Sequence, residues 1–236
     1  MKKLLFVLLL SLFLVACGNE SDAESGNEEP KEEQKAENDE TEEVNNETKE
    51  NETIDEDEYS FENEYGMFNL VGMYYSEDED QEPGFYKIDF DGFILNMTVS
   101  LVDIELSEEV QWEERFAGKE KVRALLIVTE AENTTDMDID FNGTSTIVTS
   151  DKQQLSPEYG IGSENESVMT YYGQVIQDGF FIVPLNDNSQ PESLELMFEA
   201  PYEVTDAGVD TMNGKVGEDT EFEMKFISKE EMEEEQ

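Results

Sequence analysis

The sequence has no histidine and a single cysteine in 236 residues, so it lacks the commonest general base and most soft metal ligands. It also lacks a Gly-x-Ser-x-Gly elbow, a Ser-x-x-Lys motif and a phosphate-binding glycine loop. We therefore expect neither an enzyme nor a cofactor. A carboxylate-dependent envelope hydrolase remains the alternative, because no motif singles out a catalytic pair among so many acids.

Positive charge is also scarce. Lys and Arg number 14 against 61 Asp and Glu, which gives a formal net charge of −47. Phosphate recognition needs basic surface, so the composition argues against nucleic-acid binding. The same acidity favours weak, nonspecific attraction of cations, and it is compatible with a salty or alkaline habitat.

The first 16 residues have the pattern of a lipoprotein signal peptide. Two lysines precede an apolar run over residues 4–16, which is too short to span a membrane comfortably. Residues 14–17, Leu-Val-Ala-Cys, resemble the lipobox of bacterial lipoproteins. The resemblance implies cleavage before Cys17 and acyl chains, such as palmitate, attached through that cysteine. It predicts a lipid-anchored protein on the extracytoplasmic face of the membrane of a Gram-positive bacterium. An ordinary signal peptide or an uncleaved anchor is the alternative.

Residues 17–60 form the next segment, and they are dominated by Glu, Asp, Asn, Ser and Thr. Val44 and Ile54 are the only aliphatic residues there larger than alanine, so the segment cannot bury enough apolar surface to offset its chain entropy. We expect a disordered acidic tether, whose roughly 40 residues could reach about 130 Å when extended. Residues 229–236 are a second acidic segment, a short tail.

The body of the protein is predicted to be all-β. In residues 86–90 and 93–106 apolar and polar side chains alternate, and Asp91-Gly92 between them is typical of a hairpin turn. A second hairpin is expected around Asp178-Gly179. Roughly eight strands without a convincing amphipathic helix predict one antiparallel β-sandwich over residues 84–228. Residues 61–83 form a lead-in, rich in aromatics and acids, that packs on this body or stays half ordered. Three further strands are predicted at 122–129, 194–198 and 222–227.

The stretch KVRALLIVTEAENTTDMDIDFNGTSTIVTSDKQQL carries a resemblance to a known family. It resembles the immunoglobulin-like domain of secreted Firmicute lipoproteins of unknown function, over approximately residues 86–228. The similarity to the mycobacterial secreted immunogenic protein is weaker. The resemblance implies an immunoglobulin-like fold and brings no catalytic residues.

The acids in DMDIDFNG admit two interpretations. Asp138, Asp140 and Asn142 occupy the first, third and fifth places of an EF-hand loop, with Gly143 at the sixth. The twelfth place, which needs a bidentate carboxylate, is Thr149. Alternation instead predicts a strand whose apolar members, residues 137, 139 and 141, point inward, followed by an Asn-Gly turn. No specific metal site is therefore predicted, although a looser cation site on the acidic strand face stays open.

Aromatic side chains in loops are the best candidates for contacts with a partner, because aromatics often anchor interfaces. The alternative is that Trp and Phe in such loops fold back onto the core. The candidates lie in the loop around residue 112 and near a glycine-rich loop: Trp112, Phe116, Tyr159, Tyr171 and Tyr172. We expect a noncatalytic interaction module that binds a protein or another component of the cell envelope. A cation-binding surface protein is the alternative.

Overall fold

The computed structural model describes residues 59–76, 84–157, 160–163 and 169–234. Cys17, Tyr159 and all but the last two residues of the predicted tether lie outside the described residues. Within the described ranges, no helix is long and apolar enough to cross a membrane.

Ten antiparallel strands form the larger sheet, sheet A. The strands are β1 (Ser60–Asn63), β2 (Gly66–Tyr75), β3 (Tyr86–Phe90), β4 (Phe93–Leu106), β5 (Lys121–Asn133), β7 (Ser145–Thr149), β8 (Gln154–Leu155), β10 (Val175–Pro184), β11 (Ser193–Phe198) and β14 (Thr220–Ser228). The continuous order of sheet A is β10-β5-β4-β2-β14-β11-β7-β8, with β1 paired to β2 and β3 paired to β4.

Four short strands form a second antiparallel sheet, sheet B. They are β6 (Asp138–Asp140), β9 (Thr170–Tyr171), β12 (Tyr202–Thr205) and β13 (Gly208–Val209), and their order is β13-β12-β6-β9. Two 3-10 turns, Glu114–Phe116 and Asn186–Asn188, and one short helix, α1 (Lys229–Glu234), complete the described elements. The predicted class, an antiparallel immunoglobulin-like β-sandwich, is confirmed in its all-β and antiparallel character.

The first predicted hairpin is confirmed. β3 and β4 pair in register from Tyr86↔Met97 to Phe90↔Phe93. Asp91 and Gly92 connect them with φ values of 51° and 101°, as a type I′ turn requires. The Gly92 N–H donates to Asp89 Oδ1 at 2.7 Å, which adds a side-chain bond to this turn.

The second predicted hairpin is wrong. Asp178 and Gly179 lie inside the continuous strand β10, opposite Glu130 and Thr129 of β5. Gly179 serves close packing rather than a turn, since a Cβ at this position would overlap Thr129 Oγ1 and the Phe181 ring. The same dipeptide therefore has two different structural roles in this chain.

The lead-in contributes to the sheet as well. β2 lies between β4 and β14, so sheet A begins at Ser60 rather than at the predicted boundary near residue 84. Phe68 is fully buried and stacks on Phe61 at 4.6 Å between ring centroids. The ten residues of strand β2 supply side chains to both faces of the sheet, because successive side chains of a strand point to opposite faces.

Two apolar cores lie on opposite faces of strands β4 and β5. Odd-numbered residues of these strands, such as Leu95 and Ile127, enter the larger core between the sheets. Even-numbered residues, such as Ile104 and Ala124, enter a smaller core that the loop over residues 107–120 covers with Phe116. Because apolar cores cover both faces of β5, the sequence in the middle of this strand is an almost unbroken run of apolar residues.

The acidic stretch DMDIDFNG contains strand β6. An EF-hand loop lies between two helices, whereas the described elements on either side of β6 are strands β5 and β7. Ile139 and Phe141 are buried as predicted, whereas Met137 is 36% exposed and does not point inward. Gly143 has a φ of 63°, but β6 and β7 do not pair across it: they belong to different sheets. Asn142-Gly143 therefore turns the chain from sheet B to sheet A. Ile147 is the inward residue of β7.

Candidate interaction surfaces

The loop over residues 107–120 presents one large aromatic side chain to solvent. Trp112 is 81% exposed, and its indole lies near Gly118. The loop is fixed beneath it by the buried Phe116 and by a bond from the Gly118 N–H to the Gln111 carbonyl at 2.8 Å. Trp112 is therefore an accessible side chain on an anchored loop.

Two of the predicted contact residues are core residues instead. Phe116 is fully buried in the smaller core, and Tyr171 is 1% exposed in the larger core, where its ring meets Phe93 edge-on. Neither can reach a partner in this fold. In both segments one aromatic side chain points inward, while a second one in the same segment, Trp112 or Tyr172, is exposed to solvent.

Tyr172 belongs to an exposed face of sheet B that the strand register defines. Val204 of β12 lies opposite Val209 of β13 on one side and opposite Asp138 of β6 on the other. Ile139 pairs with Tyr171, so the preceding residue of β6, Asp138, lies beside Tyr172. Cross-strand partners share a face, and Ile139 and Tyr171 occupy the buried one. The outward residues, here named the Tyr172 face, are Asp138, Thr170, Asp140, Tyr172, Tyr202, Val204 and Val209.

The Tyr172 face combines apolar area with two acids, one of which is hydrogen-bonded to the backbone. Tyr172 is 70% exposed and Val209 is 41% exposed. Asp138 Oδ1 accepts the Gly173 N–H at 2.9 Å, which fixes the backbone next to Tyr172. Burial raises the pKa of Asp140. The face is thus a preformed aromatic and aliphatic surface with two carboxylates set into it.

The acids of this region do not form a cation cage in the described structure. Asp136 accepts a hydrogen bond from the Gln174 amide at 3.2 Å, and Asp138 is engaged by backbone. Among the residues that the structure describes, no group of three or more acidic or cysteine side chains is placed to hold a metal ion. Sharing of one ion by Asp136, Asp138 and Asp140 therefore has no geometric support.

A carboxylate pair lies on the outer face of sheet A. Glu195 is opposite Glu223 on the neighbouring strand, and a hydrogen bond with Glu221 raises the pKa of Glu195. The hydrogen-bonded pair, Glu195 and Glu221, is open to solvent rather than set in a cleft. Like charges held close together raise the pKa of a carboxyl group in this way.

One small pocket lies beside the end of β10. Its volume is about 120 Å³, and Arg115 is the only ionisable residue in its lining. The Arg115 guanidinium is held by Glu113 at 2.7 Å and lies over the Phe116 ring, 4.7 Å from its centroid. The rest of the lining is Ser156, Pro157, Gly160, Phe181, Ile182, Val183 and Pro184.

Sequence reasoning identified Tyr172 but missed its aliphatic neighbours. Val204 and Val209 lie in β12 and β13, a short hairpin in a segment that carried no strand prediction. The available signal was the alternation in Tyr202–Thr205 followed by a turn with Gly208 at a φ of 103°.

Comparisons with known proteins give one distant structural similarity. No protein-family model matches the chain, and no curated protein matches it. A crystal structure of a functionally unknown protein from Listeria monocytogenes EGD-e is similar with a TM-score of 0.40 and 8% identity, over 56% of this chain and 74% of that one. The resemblance to the Firmicute lipoprotein domains stays a prediction.

Proposed function

We propose that this chain is a lipid-anchored extracytoplasmic protein whose β-sandwich binds a protein or another envelope component without catalysing a reaction. The observation that carries the proposal is the Tyr172 face. It presents the Tyr172 ring, one residue beyond β9, beside aliphatic side chains on the paired strands β12 and β13. Preformed aromatic surface of this kind is typical of interfaces.

The anchoring part of the proposal rests on the sequence. The apolar leader and the Leu-Val-Ala-Cys segment at residues 14–17 support acylation of Cys17, and the acidic residues up to 60 provide a spacer. A spacer of that length gives a domain access to partners at a distance from the lipid surface.

The noncatalytic part is supported by the placement of ionisable groups. The pocket beside β10 holds Arg115, which is already paired with Glu113, and the Glu195 and Glu221 pair faces open solvent. A carboxylate pair that works as general acid and base is normally shielded from water, because desolvation separates the two pKa values.

Crosslinked capture from intact cells tests the proposal. The full chain is expressed with its own leader, crosslinked and purified, together with the Tyr172→Ser variant and with Trp112→Ser as a matched loss of another exposed aromatic. We expect a reproducible partner that Tyr172→Ser reduces at least tenfold, and no turnover in a hydrolase screen. Turnover abolished by substitution of one carboxylate, or capture that is equal for all three proteins, contradicts the proposal.

A further inference from the structure

The Tyr172 face contains a carboxylate, that of Asp140, without a partner among the described residues. Strand pairing places Asp140 opposite Tyr202 of β12 and Thr170 of β9, and its side chain makes no hydrogen bond or ion pair within the described structure. The Tyr202 hydroxyl donates to Glu199 Oε1 instead, at 3.0 Å. Partial burial raises the pKa of Asp140, because desolvation disfavours the charged form. A cationic group would restore the stabilisation that water gives to a fully exposed carboxylate.

Positive charge is scarce around this carboxylate. Lys215 is the only base in residues 134–143, 169–174 and 199–219, the three segments that contain the strands of sheet B. Its ammonium group is held by Asp219 at 2.8 Å, so its charge is already matched within the fold. The negative charge of the Tyr172 face is therefore left for a partner to neutralise.

The Tyr172 face sets apolar and acidic side chains at fixed spacings. One row across sheet B consists of Val209, Val204, Asp138 and Tyr172, and Asp140 lies in the next row. Three intervals of about 4.8 Å give the row a length of roughly 14 Å. Diagonal neighbours on adjacent strands are about 7–8 Å apart, and Asp140 is the diagonal neighbour of Val204 and of Tyr172. Side chains two residues apart in an extended chain are separated by about 7 Å, so one segment can place a basic side chain on Asp140 and an apolar one beside it.

The face has the size of a peptide contact rather than of an interface between domains. Two rows of side chains across four strands cover on the order of 250 Å². Stable protein–protein interfaces bury about 800 Å² on each partner. A second copy of this chain is in addition repelled, because each copy has a net charge of −47. The occupant that fits both the size and the charge of the face is a short basic segment.

We propose that the Tyr172 face binds a short basic polypeptide segment in which Lys or Arg lies close to large apolar residues. The basic side chain meets the carboxylates of Asp138 and Asp140. The apolar side chains of the segment cover Tyr172, Val204 and Val209. This inference rests on the proposed noncatalytic binding function and names the class of partner.

Fluorescence anisotropy with labelled synthetic peptides tests the inference on the full chain. The probes are the blocked peptide KLTKLLTKL, the acidic peptide ELTELLTEL with the same apolar residues, and the basic peptide KSTKSSTKS without them. We expect KLTKLLTKL to bind at least tenfold more tightly than either of the others at physiological ionic strength. Equal affinity for KLTKLLTKL and KSTKSSTKS overturns the inference, because it means that the overall acidity of the chain is enough to attract the peptide. Equal or tighter binding of the acidic peptide overturns it as well.

Two double variants locate the binding by charge. Asp138→Asn with Asp140→Asn removes both carboxylates of the face and keeps an acceptor oxygen at each position. Glu108→Gln with Glu109→Gln removes two charges from the loop of Trp112, the other exposed aromatic side chain. We expect the aspartate variant to weaken binding of KLTKLLTKL about tenfold and the glutamate variant to weaken it less than about twofold. Unchanged affinity in the aspartate variant, or an equal loss in the glutamate variant, contradicts the inference.

A photoreactive form of KLTKLLTKL locates the contact on the wild-type chain, without any substitution. We expect its adducts on the strands of sheet B, at residues of the Tyr172 face. Adducts mainly in the loop over residues 107–120, or spread along the acidic residues 17–60, overturn the inference. This measurement decides the question even if the aspartate variant does not fold.

Capture from intact cells distinguishes this inference from the proposed function. If Tyr172→Ser reduces capture of a partner and the aspartate variant does not, the proposed function stands and the basic class of partner is wrong. If neither variant reduces capture, both are wrong. If the wild-type chain self-associates and Tyr172→Ser prevents it, the occupant is a second copy of the chain, which also overturns the basic segment.

Discussion

Two buried tyrosines of the larger core should respond in opposite ways to loss of the hydroxyl group. The Tyr74 hydroxyl donates to the buried Pro191 carbonyl at 3.0 Å, whereas the buried Tyr171 hydroxyl has no partner within the described structure. Burial raises the pKa of both groups. Tyr74→Phe removes a bond with a net value of about 1 kcal/mol and leaves a buried acceptor unsatisfied, so the loss should be about 1–2 kcal/mol. Tyr171→Phe removes an unsatisfied group and should be neutral or stabilising by up to about 1 kcal/mol.

Urea unfolding of the full chain, followed by far-ultraviolet circular dichroism, measures both effects. The two substitutions delete the same atom from similarly buried rings, so each serves as the control for the other. The variants should keep the wild-type m value and differ in the free energy of unfolding by about 1–3 kcal/mol. Equal destabilisation by both substitutions refutes the reasoning, because it means that the Tyr171 hydroxyl is also satisfied, for example by a buried water.

Four other perturbations have defined outcomes. Phe116→Ala should lower the free energy of unfolding by about 3–5 kcal/mol in a urea titration, since it empties the centre of the smaller core; a loss below 1 kcal/mol contradicts that packing. Gly179→Ala should cost about 1–3 kcal/mol by overlap with Thr129, and a neutral result contradicts the close approach. Mild acidification should raise the urea midpoint, because the folded chain binds a proton at Glu195 more tightly than the unfolded chain, whose Glu pKa is ordinary. Further acidification should reverse the gain, since the lowered pKa of Asp219 gives stability that is lost as pH falls through it; Glu195→Gln should flatten the first phase, and an unaltered profile contradicts the assignment. Cys17→Ser should move the protein from the membrane fraction to the medium or leave an unprocessed precursor, and unchanged mass and fractionation contradict lipidation.

The all-β fold was predictable wherever burial alternates along a strand. Ile88 and Phe90 in β3, and Phe93 and Leu95 in β4, each recur at every second residue, and the Asp91-Gly92 turn joins the two phases, so these strands and their register follow from local pattern alone. Asp178-Gly179 is locally indistinguishable from Asp91-Gly92. Only its long-range pairing with β5 shows that the chain continues straight, and no single-sequence pattern contains that information.

The candidate surfaces were predictable only in part, for a related reason. The loop around Trp112 has no period, so the sequence does not tell which of its aromatics turns inward, and the smaller core that receives Phe116 is assembled from distant strands. Likewise, Tyr171 and Tyr172 are adjacent, and only the register with Ile139 decides which one is exposed. The position of β10 at the end of sheet A is a property of sheet order, which alternation does not encode.

Site-specific photocrosslinking in intact cells tests the binding function most directly. A photoreactive side chain is placed at position 172, on the Tyr172 face, and, as a control, at the exposed position Ser150 in the turn between β7 and β8. The proposed function predicts one discrete adduct of the same mass from position 172 in repeated experiments, and no such adduct from position 150. No adduct from position 172, or an identical set of adducts from both positions, contradicts it.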